Sequence, residues 1–125
     1  MNVVDSSGWL EYLADGPNSN FFAKAIETTS DLIVPTLSLY EVFKRVLQQR
    51  SVGEALQAVA LMHQGKVVDL TASLALTAAR ISSDSRLPMA DSIILATTRS
   101  FDATLWTQDA DFKDLPGVRF IAKVK

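Results

Sequence analysis

Short apolar runs at 2–5 (NVVD), 31–35 (DLIVP), 66–70 (KVVDL), 103–109 (ATLWTQD) and 118–122 (VRFIA) alternate with longer segments of helical character. Runs this brief read as strands, and a strand that is apolar on both sides must be covered on both sides. Strands that alternate with helices pair in parallel, because each crossover helix returns the chain to the same end of the sheet. The alternation therefore predicts an α/β sandwich around a short, mostly parallel central sheet. A length of 125 residues suits a single domain, expected to span 1–125.

The helical segments carry start and stop signals. SSGWLEYLAD reads as a short helix with Ser6 or Ser7 as N-cap, closed by GPNSN, and residues 20–29 read as a second helix. Pro35 stops the second strand, and Thr36 or Ser38 is expected to cap the next helix. There Leu39, Val42, Phe43, Val46 and Leu47 follow the i, i+3, i+4, i+7, i+8 pattern of one apolar face. Ser51 caps VGEALQAVALMHQ, which Gly65 ends. Thr71 caps a helix reaching about Ser83, and Pro88 suits the first turn of a helix to about Ser100. The KVK tail is expected to fray.

Composition narrows the chemistry. Without cysteine, disulfides, thiolate nucleophiles and thiolate metal sites are excluded, which suits a reducing cytoplasm. A single histidine, His63, rules out multi-histidine metal sites and reads as a helix-end surface residue. The net charge of −2 argues against a wholly basic nucleic-acid binder, so a polyanion would have to meet a local basic patch. No basic segment followed by an apolar run opens the chain, and no apolar run approaches the roughly 20 residues of a membrane span. Neither a secretory leader nor a membrane partner is expected.

Two acids leave strands and two lie on apolar helices. Ligands of open α/β sheets bind outside the carboxyl ends of the strands. Asp5 ends the first strand and Asp109 follows the fourth, so parallel neighbours would bring both to one edge. Glu41 sits beside the apolar face of its helix. Alone it reads first as a solvated acid pairing with Lys44 and Arg45. Asp91 lies in PMADSIILATT, apolar around most of the helix. Placement near a helix N-terminus is worth roughly 0.3–1 kcal/mol, too little to offset burial of an ionised carboxylate, which demands a partner or a cation. Four acids with neither histidine nor cysteine beside them favour a hard cation, Mg²⁺ or Mn²⁺. Such centres support in-line attack on phosphodiesters.

VVDSS at 3–7, SLYEVFKR at 38–45, LPMADSIILATT at 87–98 and LWTQDADF at 105–112 stand in the order of a PIN domain. Over essentially its whole length the chain resembles the VapC-type toxins, the ribonuclease partners of toxin–antitoxin pairs. The resemblance implies a three-layer α/β/α sandwich and a divalent-metal-dependent endoribonuclease that cuts RNA and is held by a cognate antitoxin. It makes Asp5, Glu41 and Asp91 the three central acids and Asp109 the more variable fourth, acting as catalytic metal ligands. Ser6 and Thr107 match supporting hydroxyls. Asp111 can replace Asp109, but Asp109 comes sooner after the strand, and Asp111 suits a cap or turn of DFKDLPG.

Lys44, Arg45, Arg50, Arg80, Arg86 and Arg99 are candidates for RNA phosphates, or else members of a solvated mixed-charge surface. Trp9, Tyr12, Phe21 and Phe22 read as core or interface in preference to base-stacking platforms. With aromatic-rich first helices and a short chain, a homodimer is expected. Asp15, Asp31, Asp69, Asp84 and Asp102 fall at turns or element ends, where aspartate caps. Two further readings compete: a PIN-type nuclease of RNA processing outside any toxin pair, and a non-catalytic PIN interaction module, which the presence of all four acids opposes. A phosphatase is disfavoured because DSSGW lacks a second acid, and a receiver domain because no receiver-like lysine follows the late strand.

Overall fold

Valine and isoleucine, stiff at χ1 and favoured on a pleated surface, build the centre of the molecule. The computed structural model describes residues 1–124; Lys125, in the tail expected to fray, lies outside the described residues. Strands β1 (Asn2–Val4), β2 (Leu32–Pro35), β3 (Lys66–Val68), β4 (Thr104–Thr107) and β5 (Val118–Phe120) form one sheet in the order β3-β2-β1-β4-β5. Among the described residues every pairing in it is parallel. Val3 and Val4 lie opposite Leu105 and Trp106, and Val3 also opposite Ile33.

Side chains of successive strand residues point to opposite faces, and the core divides accordingly. Val4, Leu32, Val34 and Trp106 meet helices α1 (Ser6–Leu13), α2 (Ser19–Glu27), α3 (Thr36–Gln49) and α4 (Val52–Met62) through Trp9, Phe22, Ile26, Val42, Ala58 and Met62. Val3, Ile33 and Leu105 meet α6 (Met89–Ser100), α5 (Ala72–Ser85) and the loop between them through Ile94, Leu95, Ile81 and Leu87. The result is the expected three-layer α/β/α sandwich. Trp9 and Phe22 are fully buried and the Phe21 ring lies tilted against Trp106 at a centroid distance of 5.1 Å, so the first helices turn their aromatics into their own core.

The strand order places the functional edge. The chain steps from β1 to β2 to β3 with helices on one face. It then returns across the sheet to β4 with α5 and α6 on the other, as right-handed crossovers require. The outgoing connections of β1 and β4 diverge, which opens a crevice at their carboxyl ends.

Helix starts differ from the sequence expectation at three points, one being Pro88, which is the cap residue before α6 and not part of its first turn. α1 is capped by Asp5, not by Ser6 or Ser7: the Asp5 carboxylate accepts from the Gly8 N–H, and both serines lie inside the helix. α3 begins at Thr36 directly after Pro35, with neither Thr36 nor Ser38 capping it. Here Pro35 already has the extended backbone of a cap position and its fixed φ leads straight into the helix. Ser51 and Thr71 do cap α4 and α5.

Gly8 sits where α1 crosses β1. A Cβ there would lie 2.5 Å from the Phe22 ring and 2.7 Å from Val4 Cγ1. Gly8→Ala is expected to destabilise the fold by about 1–3 kcal/mol through overpacking, despite the better helix propensity of alanine. Urea denaturation checks this; an unchanged midpoint would show that α1 can shift freely.

Candidate active site

Asp5 follows β1 and is only 4% exposed. Its carboxylate is held from three directions. Ser7 Oγ donates to Oδ1 and Oδ2 at 2.8 and 3.0 Å, the Gly8 N–H donates to Oδ1 at 3.0 Å, and Thr107 Oγ1 donates to Oδ2 at 2.7 Å. Thr107 Oγ1 in turn accepts from the Asp109 N–H at 2.9 Å. One threonine at the end of β4 thus links the first acid to the backbone of the fourth.

Beyond β4 a short 3-10 turn spans Ala110–Phe112. Asp109 caps it by accepting from the Asp111 N–H at 2.9 Å. The turn folds both side chains toward the first turn of α6, where Asp91 sits. One carboxylate oxygen from each of Asp91, Asp109 and Asp111 lies within 4.8 Å of the others. Both readings of Asp111 meet here: it lies in the turn, and the turn sets its carboxylate beside those of Asp91 and Asp109. The signal was present in DADF, an i, i+2 pair of acids just past a strand, yet spacing alone could not show that a tight turn would aim both inward.

Glu41 approaches from α3 and accepts from Ser6 Oγ at 2.6 Å. Asp5, Ser6, Glu41, Asp91 and Asp109 line one open cleft of about 780 Å³ at the divergence of β1 and β4. Asp5 and Glu41 stand in this cleft outside the 4.8 Å triplet. Gln108, unremarked in the sequence, is buried and accepts from Asn18 Nδ2 at 3.0 Å, while Asn18 Nδ2 also donates to the Ala122 carbonyl. This pair braces the chain on the far side of Asp109.

Burial governs the electrostatics. It pushes the Asp5 carboxyl up to about 6, against hydrogen bonds from Thr107, Ser7 and Gly8 that pull the other way, and the charge of Asp109 adds to the rise. Asp91 is pushed up to about 7, first by burial, then by the charges of Asp109, Asp111 and Asp5, and by a hydrogen bond with Asp111. Like-charge repulsion adds to the rise of both groups, but desolvation is the larger cause.

Of the candidate cations, Lys44 and Arg45 line the cleft, together with Lys123. Arg50 instead pairs with Glu54 at 2.9 Å. Arg80, Arg86 and Arg99 are exposed and do not line this cleft. His63 is exposed at the end of α4, its Nδ1 2.9 Å from the Val59 carbonyl oxygen. Asp84 is exposed on α5, and Asp15 and Asp102 occupy left-handed turn positions.

Residues 3–118 match the family model of the PIN domain. No curated relative matches the chain in sequence. Solved structures share its architecture. A toxin–antitoxin complex from Klebsiella pneumoniae superposes with TM-score 0.77 at 19% identity, covering 95% of this chain and 96% of that one. VapC20 of Mycobacterium tuberculosis, described as a toxin that cleaves the sarcin–ricin loop, gives 0.74 at 18% identity, with 90% and 92% covered. DNA-bound VapBC from Salmonella typhimurium gives 0.75 at 15% identity, with 98% and 97% covered. At these identities the likeness is one of fold.

The raised carboxyls make stability depend on pH. Between about pH 4 and pH 7 the folded chain holds protons on Asp5 and Asp91 that the unfolded chain has released. Their contribution favours folding at low pH and is lost as pH rises through about 6 and about 7. In a chelating buffer, the melting temperature of the wild type is expected to fall relative to that of Asp91→Asn as pH rises across this window. Circular dichroism melts that stay parallel would remove the raised Asp91 carboxyl.

Proposed function

The chain belongs to the PIN-domain family, and from that membership we propose that it is a divalent-metal-dependent endoribonuclease, the toxin of a VapBC-type toxin–antitoxin pair. The observation that carries this reading is the convergence of Asp5, Glu41, Asp91 and Asp109, joined by Asp111, on one cleft at the carboxyl ends of β1 and β4. Burial and neighbouring acids hold the Asp5 and Asp91 carboxyls up, and a cation would relieve the conflict.

The donor set fits Mg²⁺ or Mn²⁺. All the converging ligands are carboxylate oxygens, the choice of hard cations. Oxygens on opposite sides of one ion, each about 2.0–2.6 Å from it, are separated by about 4–5 Å, which matches the 4.8 Å spread of Asp91, Asp109 and Asp111. These three would hold the ion, with Asp5 and Glu41 beside them. A divalent ion bound here supplies a lowered water pKa and offsets charge that grows on the phosphate.

The side chains prepare that chemistry. Thr107, Ser7 and Gly8 fix the Asp5 carboxylate, and Ser6 fixes Glu41 Oε1. The proton that burial favours on the Asp91 carboxyl would be displaced to solvent by a cation held here. Lys44 and Arg45 draw an RNA phosphate into a cleft that would otherwise repel it. Hydrolysis leaves a 3′-hydroxyl and a 5′-phosphate, and the chain lacks the histidine pair that a cyclic-phosphate mechanism usually employs.

A second groove supports the antitoxin partner. Leu10, Leu13, Val46, Ala58 and Leu61 line a largely apolar channel between α1, α3 and α4, rimmed by the Arg50–Glu54 pair. It suits the apolar face of an amphipathic helix, and toxin–antitoxin complexes are among the structural neighbours. The homodimer finds its support elsewhere than in the first helices: Leu70, Leu76 and Met89 stand exposed on and beside α5 and α6.

Mapping of RNA ends with added Mn²⁺ tests the activity. Asp5→Asn and Asp91→Asn are each expected to lose most cleavage while remaining folded, Glu41→Gln comparably, and a chelator to stop it. Asp109→Asn is milder, because Asp111 is at hand. Wild-type rates in folded Asp5→Asn would sink the assignment. Thr107→Val removes only the hydroxyl that orients Asp5. It is expected to weaken Mn²⁺ binding by roughly 10- to 100-fold, read by titration calorimetry, and an unchanged affinity would show that Asp5 needs no such support.

A further inference from the structure

The wall of the cleft on α3 has a regular pattern. Glu41, Lys44, Arg45, Gln48 and Gln49 recur every three or four residues and line the cleft as a polar stripe. Tyr40 stands at the head of that stripe, beside Glu41, and lines the same cleft. It is 60% exposed and belongs to none of the core clusters, unlike Trp9 and Phe22. Core packing therefore does not account for this ring. The Lys44 ammonium lies over it, 5.7 Å from its centroid, one helical turn further along.

Sites for single-stranded nucleic acid combine cations that follow the backbone with aromatic faces on which bases stack. Both parts meet here, next to the acids. Lys44, Arg45 and Lys123 supply positive charge in the cleft, and Tyr40 supplies a largely exposed aromatic side chain. A base can be presented this way only if it is unstacked from its neighbours, which a loop or single strand permits and a duplex does not.

We propose that Tyr40 is the stacking platform for a single-stranded RNA base next to the scissile phosphate, with Lys44 orienting the ring and pairing with the adjoining phosphate. The proposal rests on the nuclease reading above and adds a determinant of substrate form to it. Stacking, not the phenolic hydroxyl, supplies the contact, so the ring face is what the site requires. Tyrosine and phenylalanine should serve alike, and alanine should not.

The test uses a fluorescein-labelled single-stranded RNA oligonucleotide and the full chain carrying Asp91→Asn to suppress cleavage. Anisotropy gives the affinity of this parent and of the same chain with Tyr40→Ala or Tyr40→Phe added. Tyr40→Ala is expected to weaken single-strand binding by roughly 5- to 150-fold, the range measured for loss of one stacked base. Tyr40→Phe should match the parent, and a fully paired RNA of the same sequence should bind all three alike. The exposed position and the high helix propensity of alanine keep α3 intact, and a melting curve verifies it. Equal single-strand affinity for parent and Tyr40→Ala overturns the proposal and reassigns the ring to a protein contact. Equal weakening by Tyr40→Phe overturns it in favour of the hydroxyl. If either occurs while Asp5→Asn still abolishes cleavage, the nuclease reading stands without the stacking platform. If the chain without substitutions cuts no RNA in Mn²⁺, the reading and the platform fall together.

Discussion

The carboxylate of Asp5 is the joint on which the site turns. It sits at the end of the central strand, almost fully buried, and accepts hydrogen bonds from α1 and from β4 at once. A buried carboxylate without partners would cost several kcal/mol; with donors from Ser7, Gly8 and Thr107 it becomes a fastener. The same group caps a helix, ties two strands together and presents charge to the cleft. Structural and chemical roles are therefore inseparable at this residue.

From that joint the remaining acids follow by topology. Because β1 and β4 are neighbours whose outgoing connections diverge, their carboxyl ends border an open crevice. The turn after β4 must enter that crevice, and its 3-10 geometry carries Asp109 and Asp111 together. α6 is almost entirely buried from Ser92 to Thr98, which fixes its N-terminal turn and aims Asp91 at the same point. The electrostatic conflict among these groups is thus built by the packing of apolar residues. Burial raises Asp5 and Asp91 before any neighbour's charge is felt, and the folded chain stores that cost until a cation or a proton relieves it.

The two sides of the sheet are unequal in a way that matters for partners. Four helices cover one face and absorb the aromatics Trp9 and Phe22, while α5 and α6 cover the other and leave Leu76 and Met89 exposed. α3 belongs to both the acid cleft and the apolar groove. Its residues Gln49 and Val46 border the groove, and Glu41, Lys44 and Arg45 border the cleft. A partner seated against α1, α3 and α4 would lie within one helix of the acids, close enough to influence access to them.

Much of this was legible in the residues alone. Short β-branched runs separated by amphipathic segments allow little besides a covered parallel sheet, so the strands and most helix bounds were readable within one or two residues. Acids placed where apolar burial would be costly pointed to a polar centre at Asp5 and Asp91. What the sequence could not decide were contacts between distant elements. Ser7 reads locally as a helix cap, but in the fold Asp5 takes that role and Ser7 serves Asp5, and only strand pairing brings Thr107 to the same carboxylate. Asp111 reads either as a turn residue or as a replacement for Asp109 until the turn's direction is known. Tyr40 sits in an apolar-looking stretch, and only the packing of α3 shows that its ring faces the cleft and not the core. Period and composition determine which elements form. Which side chains meet across them is decided by sheet order and helix rotation, which depend on all the apolar contacts together.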